Sequence, residues 1–425
     1  MRHLSMPRRQ WLQWSAGAAL GSQLPARAQT SVNRSPGRPL AIGQIVDMSS
    51  NQQDVSRDFL TGSRAAWMDL HARGGIKGQP IRHVVIEVNG TGPALRKAWQ
   101  GLQEQADCLA LSGCAGHVLA SELVAQHDGQ PAAQAMALVA PWLQNVDAAG
   151  GKENVFDIFP DHASQLAHAL KTLSVMGIQE LAVAYATTAL RNQERPRIDK
   201  ATQALGLRPH TLPALDSART FTPTHAIVLF LGGTPELYDF VRKLVLQPGR
   251  QCYVVAMADV NLQVLAQMGG TPRNVSIIAT QAVPMVTSGQ PIVRTYRDSL
   301  ARHFDEPPSP QGLAGYIAAR YTAEVLQGIN GPLNRSTVLA AFRQRQNLDL
   351  GGFQITYQGQ RRSNAYVTQS MLTSDGRIVR CSIARRKAPQ AHNHARRNIA
   401  CRCGSRIQQL STGDRPLRAR PHPAD

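Results

Sequence analysis

The sequence predicts an α/β protein of two Rossmann-like lobes with parallel sheets joined by a hinge. First, strand-like and helix-like segments alternate from about residue 40 to residue 280, as in parallel sheets that helices cover on both faces. Second, this alternation falls into two successive series. Third, 425 residues are enough for two to three hydrophobic cores of ordinary size.

The first series begins with an apolar strand at 41–46. Val55, Phe59, Ala66 and Leu70 follow at spacings of four, seven and four, which places them on one face of a helix. Gly74 and Gly75 mark the end of that helix, because glycine is common just past a last helical turn. The remaining strands of this series are expected at 82–88, 108–112 and 136–140.

The second series repeats the same alternation, and the chain then changes character after Pro291. The late segment consists of helices followed by short strands, so it must pack back onto the earlier lobes. The expected strands of the second series are 180–185, 226–231, 252–256 and 275–280, with helices at 162–175, 190–204, 234–246 and 260–268. The expected late elements are helices at 291–303, 312–327 and 335–345 and strands at 353–357 and 366–372.

The N-terminus predicts export. Arg8 and Arg9 precede an apolar stretch from Trp14 to Leu24, and Ala26-Arg27-Ala28 has the small-x-small pattern of a cleavage site. Residues 1–28 are therefore expected to be a twin-arginine-type signal peptide that directs the protein to the periplasm. The apolar stretch is shorter than the ~20 residues that a membrane span needs.

The formal net charge of +18 is concentrated at the two ends of the chain. Residues 1–28 contribute +4 and residues 380–425 contribute +9, which leaves +5 for the body of the protein. No basic stripe with interleaved aromatic residues is present, so nucleic acid is not an expected partner. Residues 380–425 lack apolar periodicity and are predicted to be a basic disordered tail.

The six cysteines do not suggest a disulfide framework. Cys108 and Cys252 lie in strand-like apolar runs, which favours buried free thiols. His392, His394, Cys401 and Cys403 do not match the spacing of structural zinc sites, so no metal is predicted. No glycine-rich phosphate loop or nucleophile elbow occurs, and the sequence predicts neither a cofactor nor an enzyme.

Several segments between residues 40 and 379 together resemble the type 1 periplasmic solute-binding proteins of ABC transporters, the leucine/isoleucine/valine-binding group. Their order and spacing carry the resemblance more than any one of them does. The matching segments are 42–50, 57–62, 74–78, 155–160, 176–178 leading into 181–185, 280–284 and 315–320.

The resemblance implies one lobe of residues 36–157 plus 283–350 and a second of 158–282 plus 351–379. It also implies that a small-molecule solute is closed into the cleft between them and delivered to a membrane permease of an ABC-type importer. The protein is expected to be a monomer. In an alternative role, the closed form is presented to a sensory receptor instead of a permease.

Loops at the carboxyl ends of parallel strands are the expected ligand site. Ser112, Gly113 and His117 belong to a small-residue loop that opens a helix, where free N–H groups suit a carboxylate. A tight turn that needs glycine is the alternative interpretation, and His117, where the family usually has Ser or Thr, is alternatively a solvated surface residue. Ser49, after the first strand, resembles a ligand contact of the family.

Four further candidates complete the predicted site. Trp142 follows the fourth strand and forms either an apolar wall for the solute or part of the packed core. In the second lobe, Tyr185, Thr234 and Asp259 lie at strand ends, and Asp259 is the acid placed to bind an ammonium group, or else a surface carboxylate. The expected solute is amino-acid-like, or a small carboxylate or amide.

Overall fold

The computed structural model of the chain describes residues 39–127, 135–142, 153–357 and 366–380. The predicted signal peptide and the predicted tail beyond residue 380 lie outside these residues. Within them the chain forms two parallel-dominated sheets flanked by helices, which confirms the predicted fold class.

The first sheet has the strand order β2-β1-β3-β4-β5, and its strands pair in parallel. Val55, Phe59, Ala66 and Leu70 are buried on one face of the first helix, as their spacing predicts. The elements are β1 (Leu40–Asp47), α1 (Gln53–Ala72), β2 (Ile81–Val88), α2 (Pro93–Glu104), β3 (Cys108–Ser112), α3 (His117–His127), β4 (Ala137–Val139) and β5 (Val155–Phe156).

The second sheet is parallel from β10 to β7 and ends in two antiparallel strands, in the order β14-β13-β10-β9-β8-β6-β7. Its parallel strands are β6 (Glu180–Tyr185), β7 (Arg208–Thr211), β8 (Ile227–Leu231), β9 (Cys252–Ala256) and β10 (Val275–Gln281), and its antiparallel strands are β13 (Thr368–Leu372) and β14 (Ile378–Arg380). Its helices are α4 (His162–Val175), α5 (Thr188–Gln203), α6 (Thr234–Arg242) and α7 (Leu262–Gln267).

The late helices are α8 (Pro291–His303), α9 (Pro310–Gly328) and α10 (Arg335–Arg343). Helix α9 packs closely on α1: a Cβ atom added to Gly62 of α1 would lie 1.7 Å from the carbonyl oxygen of Gly312, and one added to Gly315 would lie 1.9 Å from that of Phe59. Glycine at these positions therefore allows the two helix backbones to touch.

The chain near residue 350 differs in detail from the lobe boundary expected there. A short antiparallel pair, β11 (Leu348–Asp349) and β12 (Gln354–Ile355), spans that point. Phe353 and Ile355 lie in the same buried cluster as α1 and α9, so residues 351–357 pack with the first lobe. The chain returns to the second lobe at β13, which pairs with β10.

Each sheet has a buried apolar cluster on both of its faces. Cys108, Cys114 and Cys252 are buried free thiols, as expected for Cys108 and Cys252. Burial raises the pKa of Cys108 to about 11 and that of Cys114 to about 12. Among the helices in the described ranges, none combines the length and the apolar character that crossing a membrane requires.

Candidate functional site

The loop after β1 is fixed by a buried aspartate. One carboxylate oxygen of Asp47 accepts hydrogen bonds from the backbone N–H groups of Ser49 and Gly90, both at 2.9 Å. This arrangement joins the loops that follow β1 and β2. Ser49 is partly buried, and its hydroxyl bonds the side chain of Asn51 at 2.9 Å. Ser49 thus lies where the sequence predicts, at the carboxyl edge of the first sheet.

The loop after β3 uses its polar groups within the first lobe. The Ser112 hydroxyl pairs with that of Thr322 in α9 at 2.6 Å. The N–H of Gly113 donates to the Val139 carbonyl, and its own carbonyl accepts from Gln44. Gly113 has φ 66°, and an added Cβ would meet Phe59 at 2.8 Å, so this position needs glycine as in the tight-turn interpretation. His117 is the first residue of α3.

Trp142 belongs to the packed core. It is 1% exposed, and its ring lies 5.4 Å from that of Phe59 and 5.2 Å from that of Phe159. Its buried indole N–H has no hydrogen-bond acceptor among the residues that the structure describes. Of the two interpretations of this residue, packing is the one that the geometry fits.

Tyr185, the last residue of β6, is also 1% exposed. Its ring packs in the cluster formed by α4 and the same face of the second sheet, with Leu170 and Val183. Burial raises the pKa of Tyr185 to about 12, so its hydroxyl is neutral at physiological pH. The structure separates this side chain from the other candidates and places it beneath the helices of the second lobe.

Thr234, at the start of α6, lies where the two lobes meet. Its hydroxyl accepts a hydrogen bond from the Asn261 backbone at 2.9 Å. The preceding Gly233 approaches the first lobe, since a Cβ atom added there would lie 3.0 Å from the carbonyl oxygen of Asn51. The loops after β1 and β8 therefore face each other.

Asp259 lies in the loop after β9, which also reaches the first lobe. The carbonyls of its two neighbours, Ala258 and Val260, each accept from the side chain of Gln311 in α9 at 3.3 Å. In the same loop the fully buried Asn261 donates to the carboxylate of Asp58 in α1 at 2.8 Å. These bonds connect the second lobe to α1 and α9 across the cleft.

Four acidic side chains, which we term the cleft carboxylates, meet at this junction: Asp54 and Asp58 from α1, Glu236 from α6, and Asp259. Burial raises the pKa of Asp54, Asp58 and Glu236, and the charge of Asp54 raises the pKa of the other two further. The charge of Asp259 also raises the pKa of Glu236. When these groups ionise, the negative charge of Asp54 therefore repels those of Asp58 and Glu236, and that of Asp259 repels that of Glu236.

Of this group, only Asp259 was predicted from the sequence. Asp54 and Asp58 occupy the first turns of the helix that follows the predicted ligand loop, four residues apart and beside the apolar stripe of Val55 and Phe59. Their place in the cleft could have been predicted from the sequence, because α1 begins at the carboxyl edge of the sheet. Asn261 and Gln311 had no comparable signal, since their roles depend on the contact between the lobes.

The family model described as "Periplasmic binding protein" matches residues 39–377. Together with the two-lobed fold, this match shows that the chain belongs to the periplasmic binding protein family. Members of this family are solute-binding proteins and not enzymes, and they act in the periplasm or outside the cell. No curated protein sequence matches the chain.

Solved structures share the fold at low sequence identity. A substrate-binding periplasmic protein from Ralstonia solanacearum is 18% identical with a TM-score of 0.70, over 80% of this chain and 99% of that one. A branched-chain amino acid transporter substrate binding protein from Streptococcus pneumoniae, in complex with isoleucine, is 14% identical (TM-score 0.66; 80% and 98%). A fatty acid ABC transporter substrate-binding protein from Thermomonospora curvata is 16% identical (TM-score 0.64; 80% and 91%).

Proposed function

We propose that this protein is the solute-binding component of an ABC-type importer and that its solute carries an ammonium group. The solute lies between the two lobes, which close on it by a hinge motion. The observation that carries the proposal is the meeting of the cleft carboxylates, two from the first lobe and two from the second, at the junction of the loops.

The carboxylates define the class of solute. Buried like charges repel one another, and a cation placed among them would relieve both that repulsion and the cost of burial. One carboxylate is enough for the α-ammonium of a neutral amino acid, whereas four favour a second cationic group. We therefore expect a basic amino acid or a small diamine to bind more tightly than leucine or isoleucine.

The same arrangement explains how a solute would drive closure. Asp54 and Asp58 are carried by α1, whereas Glu236 and Asp259 are carried by the second lobe. A cation between them has contacts with both lobes only when the cleft is closed, so it stabilises the closed state selectively. The Ser49 hydroxyl donates to Asn51, and its oxygen can still accept a hydrogen bond from the rest of the solute.

A thermal-shift screen of the full chain tests this proposal. The panel consists of lysine, arginine, ornithine and putrescine, with leucine, glutamate and palmitate as comparisons. At a hundredfold excess over the dissociation constant, a true solute stabilises the protein by about 2.7 kcal/mol. Stabilisation by glutamate or palmitate but by none of the cations would contradict the proposed solute class.

Variants distinguish solute binding at the cleft carboxylates from binding at other anionic surfaces. D259N and E236Q are expected to weaken binding of the cationic solute, while the matched exposed change D298N on α8 is expected to leave it unchanged. If D259N and D298N behave alike, the solute does not bind at the cleft carboxylates.

The transport role needs a partner. We expect the solute-loaded protein to bind a membrane permease as a monomer after export through the twin-arginine route. Pull-down with the loaded protein from detergent-solubilised membranes of the native host would identify the partner. Recovery of a receptor ectodomain instead of a permease would favour the sensory alternative.

A further inference from the structure

A second cluster of metal-ligating side chains lies on the second lobe, away from the cleft. Glu180, His210 and His225 each offer a ligand atom, and these three atoms lie within 4.8 Å of one another. Glu180 begins β6, His210 lies in β7 and His225 precedes β8, so three neighbouring segments of one sheet contribute. We propose that this cluster, the edge triad, binds a divalent transition metal ion such as Zn²⁺.

The chemistry of the three side chains suits such an ion. Imidazole nitrogen and carboxylate oxygen are the ligands that Zn²⁺, Ni²⁺ and Cu²⁺ accept in proteins, and a two-histidine, one-carboxylate set is a common zinc combination. Nε2 of His225 already lies 3.4 Å from one carboxylate oxygen of Glu180. The ring of His210 stacks on that of His225 with centroids 4.2 Å apart, so the two rings would rotate out of this stack to direct their nitrogens at one ion.

Outer contacts orient two of the three ligands. Arg208 donates to one oxygen of Glu180 at 3.0 and 2.6 Å, and the second oxygen faces His225. The hydroxyl of Thr224 lies 3.1 Å from Nδ1 of His225, which leaves Nε2 directed at the triad. Metal-binding histidines and carboxylates in proteins are oriented by partners of this kind.

The location makes the site independent of the solute. Glu180 is the first residue of β6, whereas the cleft lies beyond the carboxyl ends of the strands. Six residues of strand separate the two by roughly 17 Å. Because Glu180 and His210 are exposed, the ion would keep a coordination position open to water or to a donor atom from another molecule.

Equilibrium dialysis of the full chain against Zn²⁺, with bound metal measured by atomic emission, tests the proposal. We expect H210Q and H225Q each to lose one equivalent of zinc, or to bind it at least tenfold more weakly, and E180Q to weaken it as well. The matched exposed change H71Q in α1 should retain the parent's stoichiometry. The double variant H392Q/H394Q should still bind the equivalent of zinc that H210Q loses.

Two results would overturn the proposal. One is equal zinc binding by the parent protein and by H210Q and H225Q. The other is a crystal grown with Zn²⁺ in which no anomalous difference peak lies about 2.1 Å from the two imidazoles. Unchanged melting temperatures of the variants without metal would show that any loss of zinc does not arise from misfolding.

Discussion

At the scale of single residues, the junction between the lobes combines groups that stabilise the fold with groups that weaken it. Asn261 is fully buried, donates its backbone N–H to the hydroxyl oxygen of Thr234, and donates its side-chain amide to the carboxylate of Asp58 in the first lobe. Asp54 and Glu236, by contrast, are acids with raised pKa values at a place where their charges repel. Binding sites often keep such groups at the expense of stability.

Replacing Asp54 by asparagine should separate these two effects. Without solute at neutral pH, D54N should raise the melting temperature by about 2 °C, which corresponds to about 1 kcal/mol, because a buried charge is removed. Its affinity for a cationic solute should fall at least thirtyfold, or about 2 kcal/mol. Differential scanning calorimetry and titration calorimetry measure the two quantities. A variant that is destabilised and binds normally would show that Asp54 has a structural role instead.

Variants of Trp142 can distinguish a role in core packing from a role in solute contact. W142A should cost about 3 to 5 kcal/mol of unfolding free energy, because it opens a cavity between Phe59 and Phe159. W142F keeps most of the ring contact and removes an indole N–H that has no acceptor within the described part of the chain, so it should cost under about 1.5 kcal/mol. Urea denaturation compares them. Equal losses for the two variants would argue against aromatic packing as the role of this side chain.

At the scale of secondary-structure elements, the contact between α1 and α9 decides how the late part of the chain returns to the first lobe. Gly62 and Gly315 allow backbone contact between the helices, and the buried Ser63 hydroxyl donates across them to the Gly315 carbonyl at 3.2 Å. Helix α1 also begins directly after the Ser49 loop and carries two cleft carboxylates. Its position therefore affects both the core and the cleft.

A pair of glycine-to-alanine changes tests this contact. G62A should destabilise the protein by about 3 kcal/mol, because its Cβ would overlap the Gly312 carbonyl. G101A in α2 is the matched control: a Cβ there meets no atom within 4 Å, and alanine should stabilise the helix by about 0.5 to 1 kcal/mol. Chemical denaturation measures both. Similar effects at the two positions would show that the helices tolerate a wider separation.

The elements also show how far the sequence alone leads. Continuous apolar runs predicted the central strands, because a parallel sheet is buried on both faces. The spacing of apolar residues along one helical face predicted α1. The edge strand β7, Arg208-Pro209-His210-Thr211, was not predicted, since an exposed edge needs no apolar residues and tolerates proline. The carboxyl-edge rule predicted the location of Ser49, Thr234 and Asp259 after their strands, and their contact with solute stays a prediction. It did not predict the orientation of Ser112 or Tyr185, which depends on packing against α9 and α4.

At the scale of the whole molecule, we expect the cleft carboxylates to make stability and solute binding depend on pH. Because burial raises the pKa of Asp54, Asp58 and Glu236, the folded protein without solute binds protons that the unfolded chain releases. That stabilisation is complete below the ordinary pKa values of 3.8 and 4.5 and is lost as the pH rises through the raised values. A bound cation acts in the opposite direction, since it requires the ionised carboxylates.

We therefore expect affinity for a cationic solute to increase as the pH rises through the raised pKa values, while the amine of a lysine-like solute stays protonated. Titration calorimetry between pH 4 and pH 8 would measure this trend, and D54N should flatten it. Affinity that is constant or decreases over this range would exclude the cleft carboxylates as the groups that hold the solute.

The connections between the lobes have a mechanical consequence. The described chain leaves the first lobe after β5, returns to it after β10, and leaves it again between β12 and β13. Two lobes joined by one chain connection can rotate freely about it, whereas several connections restrict their relative rotation. Opening of this cleft should therefore follow a narrow path, so that one distance between labels on α2 and α5 reports the whole motion.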